Sequence, residues 1–401
     1  MNEDGLMRAR RRWFLAILGG FALGGFALSS WATRLPAIRS TLGLSDAELG
    51  FVLLATTVGS AIGLLISRTL LVLGGARRAL GVAVLLIAVG VATVSAGVAL
   101  EGVGMLLVGF GVAGAGLGAI DVLINIDGAV IERISRRTLM PLMHAAWPAG
   151  AVVGAGVGAA CAALGISAQL QLAAQACVIA AAGLVLVRAV PTGKRGVRRA
   201  RSKHSPRGKK RGPVVIDVRL LAIGVVMLAA EFGEGAANGW ISVAVRDALE
   251  RPEAFAAATI GIYAAAQVIV RVAAGPLVDR FGRVAVVRWT SLAGCAGVIL
   301  FVLDLGTVPL IVGVILWSVG VSMGFPLGMS AAAEGDDPAR RVTIVASVGY
   351  VASFIGPPLI GLLSQGFGLL PALWPVAILF LVAALLAPSF AAPRRGSGSG
   401  M

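Results

Sequence analysis

Histidine, tyrosine and cysteine are nearly missing from this sequence: two, two and three residues among 401. The two histidines, His144 and His204, stand 60 residues apart, so no HExxH zinc pair can form. Cys161, Cys177 and Cys295 lie in apolar segments without CxxC spacing, which supports neither a metal site nor a disulfide framework. They read as small packing residues. There is no phosphate-cradling loop of the GxxxxGK[ST] type, so ATP-driven work would need a partner chain. No re-entrant, filter-like segment is visible, which argues against a channel. Charge is scarce at 13%, and acid scarcer than base, 19 residues against 34. No cofactor or metal is expected, and neither a membrane enzyme nor a channel finds its signature.

What is abundant is apolar surface and glycine. Hydrophobic residues make up 58% of the chain and glycine contributes 55 residues. The mean hydropathy is +0.93. Soluble domains hold about 45–50% apolar residues even with glycine counted. An integral membrane protein follows, with glycines where helices pack closely. Apolar runs long enough to span a bilayer fall near 13–32, 47–67, 79–98, 102–126, 139–163 and 168–189. A second set falls near 218–241, 254–276, 285–303, 307–330, 342–365 and 371–388. The first run follows a basic stretch that would also suit a cleaved signal peptide. Its length and the many runs behind it favour a retained first span.

Basic residues orient the chain. If the N-terminus is cytoplasmic, the inner segments carry 29 of the 34 lysines and arginines and the outer loops only four: Arg34, Arg39, Arg246 and Arg251. Such a bias predicts both termini inside and an even number of spans. The surplus of positive charge therefore belongs to the inner leaflet rather than to nucleic acid. The polar run Gly193–Gly212 has no interleaved aromatics for base stacking, which supports that assignment. The expected organisation is a six-span half at 1–189, a basic cytoplasmic linker at 190–217, a second half at 218–393 and a tail at 394–401. The tail ends in "GSGSGM" and looks like an engineered linker. Trp31 and Trp240 end the first spans of the two halves, and Gly75 and Gly282 punctuate matching basic inner turns 207 residues apart. The fold class predicted is all-α, integral to the membrane, with 12 transmembrane helices in two pseudo-symmetric bundles, a transporter architecture.

The second inner turn, "GPLVDRFGR" (Gly275–Arg283), resembles the G-x-L-x-D-R-x-G-R signature of the major facilitator superfamily. The stretches "DVLINIDGAVIER", "PLMHAAWPAGAVVGA", "EGAANGW" and "GYVASFIGPPLIGLL" resemble its fucose-permease-like branch. The resemblance implies alternating access by rocking of the halves, and it does not name a cargo. It implies a cytoplasmic latch of Gly275, Asp279, Arg280, Gly282 and Arg283. Physically, Gly275 and Gly282 would allow a tight turn and close approach, and Asp279 would pair with an arginine. Arg271, two turns earlier, is a candidate partner. The first-half copy keeps Gly75, Arg77 and Arg78 but has Val72 where the aspartate belongs, and Glu132 is the acid nearest in expectation to Arg77 or Arg78.

Polar residues inside apolar spans are the candidate site, because charge in lipid is costly and faces a cavity or a partner. Glu231 and Glu234 lie one turn apart in the seventh span, with Gly233, Gly235 and Gly239 expected to break the helix there. A carboxyl that takes a proton on one side and releases it on the other is what proton coupling requires; a carboxyl tied to a backbone group or an arginine is the plainer reading. Asp121 and Asn125 share a face of the fourth span, and His144 titrates near neutral pH in its free form. Asp127 fits an inner polar network, and Arg34 an outer gate or an interfacial anchor. Trp31, Trp147, Asn238, Tyr263, Gln267, Trp317, Phe325 and Tyr350, with Phe354, would line a cavity for an amphipathic solute. "IGPPL" (Ile355–Leu359) should bend the eleventh span. The expected function is secondary active transport of a small organic molecule across the inner membrane by a monomer, coupled to protons. Drug or metabolite efflux is favoured over the alternative, sugar uptake.

Overall fold

The computed structural model describes residues 3–135, 139–190, 217–334 and 338–391. The linker, apart from its end residues 190 and 217, and the tail lie outside the described residues. So do the side chains of Tyr350 and Phe354. The described residues are nearly all helical: α1 (Glu3–Ala32), α2 (Leu35–Leu42), α3 (Asp46–Ala99), α4 (Val103–Ser135), α5 (Met140–Ala163), α6 (Ala168–Ala189), α7 (Val218–Val243), α8 (Glu253–Leu303), α9 (Thr307–Ala332), α10 (Pro338–Phe367) and α11 (Trp374–Leu386). A π-helical turn, Ala244–Ala248, follows α7, and 3-10 turns flank α11. Ten helical segments among the described residues are long and apolar enough to cross a membrane. With their side chains turned to lipid, helices satisfy their own backbone hydrogen bonds, which a bilayer demands.

Two of these segments, α3 with 54 residues and α8 with 51, are more than twice the ~20 residues one crossing needs. Each contains one residue out of helical geometry, and it is the glycine of the basic inner turn: Gly75 at φ 73°, ψ 169° and Gly282 at φ 76°, ψ 158°. That region of backbone space is essentially closed to residues with a Cβ. The expected inner turns are therefore single-residue breaks, with helix running up to and away from the glycine. The two breaks, 207 residues apart, share one geometry, which is the repeat at the level of the backbone.

By packing, the chain divides into two compact units. One comprises Met1–Lys209, Ala237–Val272 and Pro357–Ala372; the other comprises Lys210–Ala236, Ala273–Gly356 and Leu373–Met401. In the first, α3 and α4 approach to backbone contact: a Cβ on Gly59 would stand 2.0 Å from the Gly111 carbonyl oxygen, and one on Gly114 1.9 Å from that of Thr56. Small residues supply such interfaces in membranes, where no hydrophobic drive separates helix from lipid. In the second unit, Leu220, Ile223 and Met227 of α7 pack with Val287, Ala331 and Phe390.

One expectation is corrected and one short helix is added. Helix α7 is continuous through Gly233, Gly235 and Gly239 rather than broken. At Gly233 the missing side chain makes room for Phe380 and Val321, and at Gly239 for Leu53, so close packing is the need there. Helix α10 contains Pro357 and Pro358 within its length. Helix α2 has no counterpart in the hydropathy pattern, because its eight residues are too short to register; Leu35, Pro36 and Ile38 form its buried side.

Candidate functional site

In the second unit the site is built on α7. Glu231 stands 13 residues after Val218, ~20 Å along the helix axis. Glu231 and Glu234 of the second unit and Asn238 of the first fall at i, i+3 and i+7 along α7 and are half-buried, while Phe232, Gly233, Ala236 and Ala237 between them are buried. They form one polar stripe on an otherwise packed helix. The Ser353 hydroxyl on α10 donates to Glu231 Oε2 at 2.8 Å. Gly349, one turn earlier on α10, lies against the Glu231 side chain and the Phe325 ring. Trp317 is fully buried; its indole donates to the Gly233 carbonyl at 3.1 Å and meets Phe301 edge-on. It sits in packing, as does Trp31 of the first unit, buried edge-on against Phe110.

The first unit carries a second polar group. Asn125 donates to the Asp121 carboxylate at 3.0 Å, so the pair read on one face of α4 is in contact. The His144 ring on α5 is tilted against Phe21, centroids 4.9 Å apart, and lies within electrostatic reach of Arg271 on α8. Tyr263, Gln267 and Arg271 succeed one another turn by turn on α8; the Gln267 amide nitrogen is buried without a hydrogen-bond partner among the described residues. Trp147 presses on the backbone of Gly24 and Gly25 in α1. Asp127 accepts from the Trp13 indole at 3.3 Å, a polar tie between α4 and α1 rather than a charge pair.

The expected latch is only partly made. Gly275 is helical, and a Cβ there would meet nothing within 4 Å, so the close approach expected of it is absent; the positive φ belongs to Gly282 alone. Asp279 is exposed and makes no hydrogen bond or ion pair among the described residues. Arg280 folds over the ring of its neighbour Phe281. Arg283 pairs with Glu334 at 2.5 Å, and Arg219 reaches the same carboxylate at 3.1 Å. Asp217 pairs with Arg341 at 2.9 Å. In the first half, Arg77 donates to the carbonyls of Val187 and Arg188 and not to Glu132. Glu132 instead accepts from the Leu139 amide at 2.7 Å, where the N-terminus of α5 offers unpaired donors. Glu334 was not singled out from the sequence; its signal is an acid just past α9, opposite a basic turn.

Around α2 the first unit is closely packed. Arg34 is 2% exposed, meets Glu253 at 3.3 Å and donates to the Ile166 carbonyl at 2.6 Å. Arg39 meets Asp46 at 2.8 Å and Asp247 at 2.6 Å. The Ser242 hydroxyl donates to the Ala32 carbonyl, and the Trp240 indole donates to the Pro357 carbonyl at 3.1 Å. Sequence reading noticed Arg34 but not its acids. The available signal was complementary charge, with arginines in the first outer connection and Asp247 and Glu253 in the connection after α7.

Comparison with known proteins agrees with this architecture. The family model of the Major Facilitator Superfamily matches residues 223–399. An uncharacterized transporter, y4wD, of Sinorhizobium fredii is 29% identical over 93% of this chain and 96% of its own length. Over the span of that family model, which is under half of the chain, this protein is similar to the Major Facilitator Superfamily, and its ten membrane-length helical segments make it a multi-pass membrane protein. The crystal structure of the nucleoside transporter NupG superposes with a TM-score of 0.71 at 14% identity, over 95% of this chain and 98% of NupG. That of a D-xylose-proton symporter superposes at 0.70 and 17% identity, over 94% and 96% of the two chains. At such identities the likeness is one of fold.

Proposed function

We propose that this protein belongs to the major facilitator superfamily and is a proton-coupled secondary transporter of a small organic solute. In this reading it works as a monomer in the inner membrane, with both termini cytoplasmic. It alternates access through rocking of the halves 1–189 and 218–393, joined by the basic linker. Each long helix, α3 and α8, then makes two passes, bringing ten membrane-length helical segments to twelve spans. The observation that carries the reading is the stripe Glu231–Glu234–Asn238 at mid-depth on α7, with the Ser353 hydroxyl on Glu231. A carboxyl at that depth is costly to keep ionised, and a neighbouring hydroxyl can serve either protonation state as donor or acceptor. Glu234 is the coupling carboxyl and Glu231 its partner; Asp121, Asn125 and His144 are auxiliary polar groups. Efflux of an amphipathic metabolite is the preferred direction, supported by the apolar sequence around the carboxylates. Uptake of a sugar is the second reading, supported by the fucose-permease-like motifs.

The test is flux in proteoliposomes, with a panel of sugars, nucleosides and amphipathic metabolites, with and without an imposed pH gradient. Glu234→Gln keeps the shape and removes the titration. It should abolish gradient-driven accumulation while exchange across the membrane persists. Glu231→Gln should weaken accumulation less. Unchanged accumulation in Glu234→Gln would overturn its coupling role.

A further inference from the structure

The short helix α2 is held at two points, and each of its arginines serves two masters. Arg39 lies between Asp46, at the start of α3, and Asp247, in the π-helical turn after α7. Arg34, just before α2, lies between the Ile166 carbonyl, in the α5–α6 connection, and Glu253, at the start of α8. In each case one partner belongs to the first half of the chain and the other to the second. Between the two arginines, Leu35 and Ile38 are fully buried. The backbone beneath is as close: a Cβ on Gly361 of α10 would stand 2.6 Å from the Asp46 carbonyl oxygen, and one on Gly50 3.1 Å from the Pro358 Cα.

We propose that α2 is a bolt that closes the outer end of the transporter. When the end opens, Arg39 releases Asp247 and keeps Asp46, and Arg34 releases Glu253 and keeps the Ile166 carbonyl. Retaining one partner matters physically. A guanidinium cannot shed its charge, so an arginine stripped of both partners in a buried setting would make opening prohibitively costly. With one partner kept and water admitted to the other side, the open and closed states stay close in free energy, as an alternating carrier needs. The Arg39–Asp247 pair is the more exposed and salt-sensitive of the two. The Arg34–Glu253 pair is shielded on the arginine side, and it sets register more than strength.

This inference rests on the alternating-access reading and its orientation, but its test needs no cargo and no proton gradient. Cys161, Cys177 and Cys295 are replaced by alanine, and Ala32→Cys is introduced. Ala32 is 1% exposed beneath the bolt, and its carbonyl contact with Ser242 survives the change. Right-side-out and inverted vesicles are then treated with a membrane-impermeant maleimide. Arg39→Gln and Asp247→Asn should each raise the rate of labelling from outside roughly threefold to tenfold, the range a modest ion pair supports. The exchange Arg39→Asp with Asp247→Arg should bring it back towards the starting rate. High external salt should act like Asp247→Asn on the parent and have little effect on that variant. If Asp247→Asn, the milder change, labels at the parent rate in monodisperse protein, the bolt is overturned. If the charge exchange fails to restore protection, the ion pair is not its working part and the proposal also falls. Increased labelling from the inverted side alone would uphold the bolt and overturn the orientation.

Discussion

At the scale of the residue, Asp217 shows how a single contact sets a pH dependence. Its carboxyl is held below the usual carboxylate range, first by the hydrogen bond from Arg341, against a smaller opposing effect of burial. The folded state therefore favours the ionised form. The stabilisation is complete above about pH 4, the ordinary value for an aspartate, and is lost as pH falls through the lower folded value. The Asp217 side chain is 43% exposed, so water screens the pair and its worth is under about 1 kcal/mol. Asp217→Asn keeps an acceptor for the Leu220 amide and removes only the charge. We expect it to lower the melting temperature of the detergent-purified protein slightly at pH 7 and by less near pH 3. An equal deficit at both values would mean the pair is not the cause. Such pairings are the least legible feature of the sequence. Ser353 and Glu334 are ordinary residues until α10 and α7, or α9 and the Gly282 break, are brought side by side. Asp121 and Asn125 were legible because one helix sets their spacing.

At the scale of the element, hydropathy marked the apolar stretches because a bilayer core sets their length, and two pairs of expected spans fall within the single long helices α3 and α8. It missed α2, which is too short to span, and mistook the role of glycines in α7, because pattern alone does not separate a weak helix from a crowded one. The inner breaks offer a direct test. Gly275 and Gly282 both belong to the signature, yet only Gly282 has a backbone that a Cβ strains. Gly282→Ala should cost about 1–3 kcal/mol, read as a lower melting temperature and reduced membrane yield. Gly275→Ala, in a helix with open space around it, should match the parent or exceed it slightly. Equal losses in the two variants would show that the signature glycines are kept for something other than backbone shape.

At the scale of the whole molecule, charge placement carries the orientation and the number of passes. Cysteines placed at Ser40 and Ser202 in a background lacking the three native ones should react with an impermeant maleimide from opposite sides of the membrane, Ser40 from outside. The same side for both would exclude an odd number of spans between them, and the reverse assignment would invert the topology. Packing groups Ala237–Val272 and Pro357–Ala372 with the first half of the chain, whereas the sequence places the divide at the linker. A boundary read from sequence follows the covalent chain; packing follows contact in space.

The matching glycines separate what turns the chain from what would latch it. Of the two inner turns only the second carries the aspartate, Asp279, and Val72 stands at the matching position of the first. The Gly75 and Gly282 dihedrals are nearly the same. Without such a break, a helix the length of α3 would be a rod of ~80 Å, unable to turn back into the bilayer it has just left. A lost charge leaves a weaker catch on a working hinge, whereas a lost glycine leaves no hinge on which a catch could act.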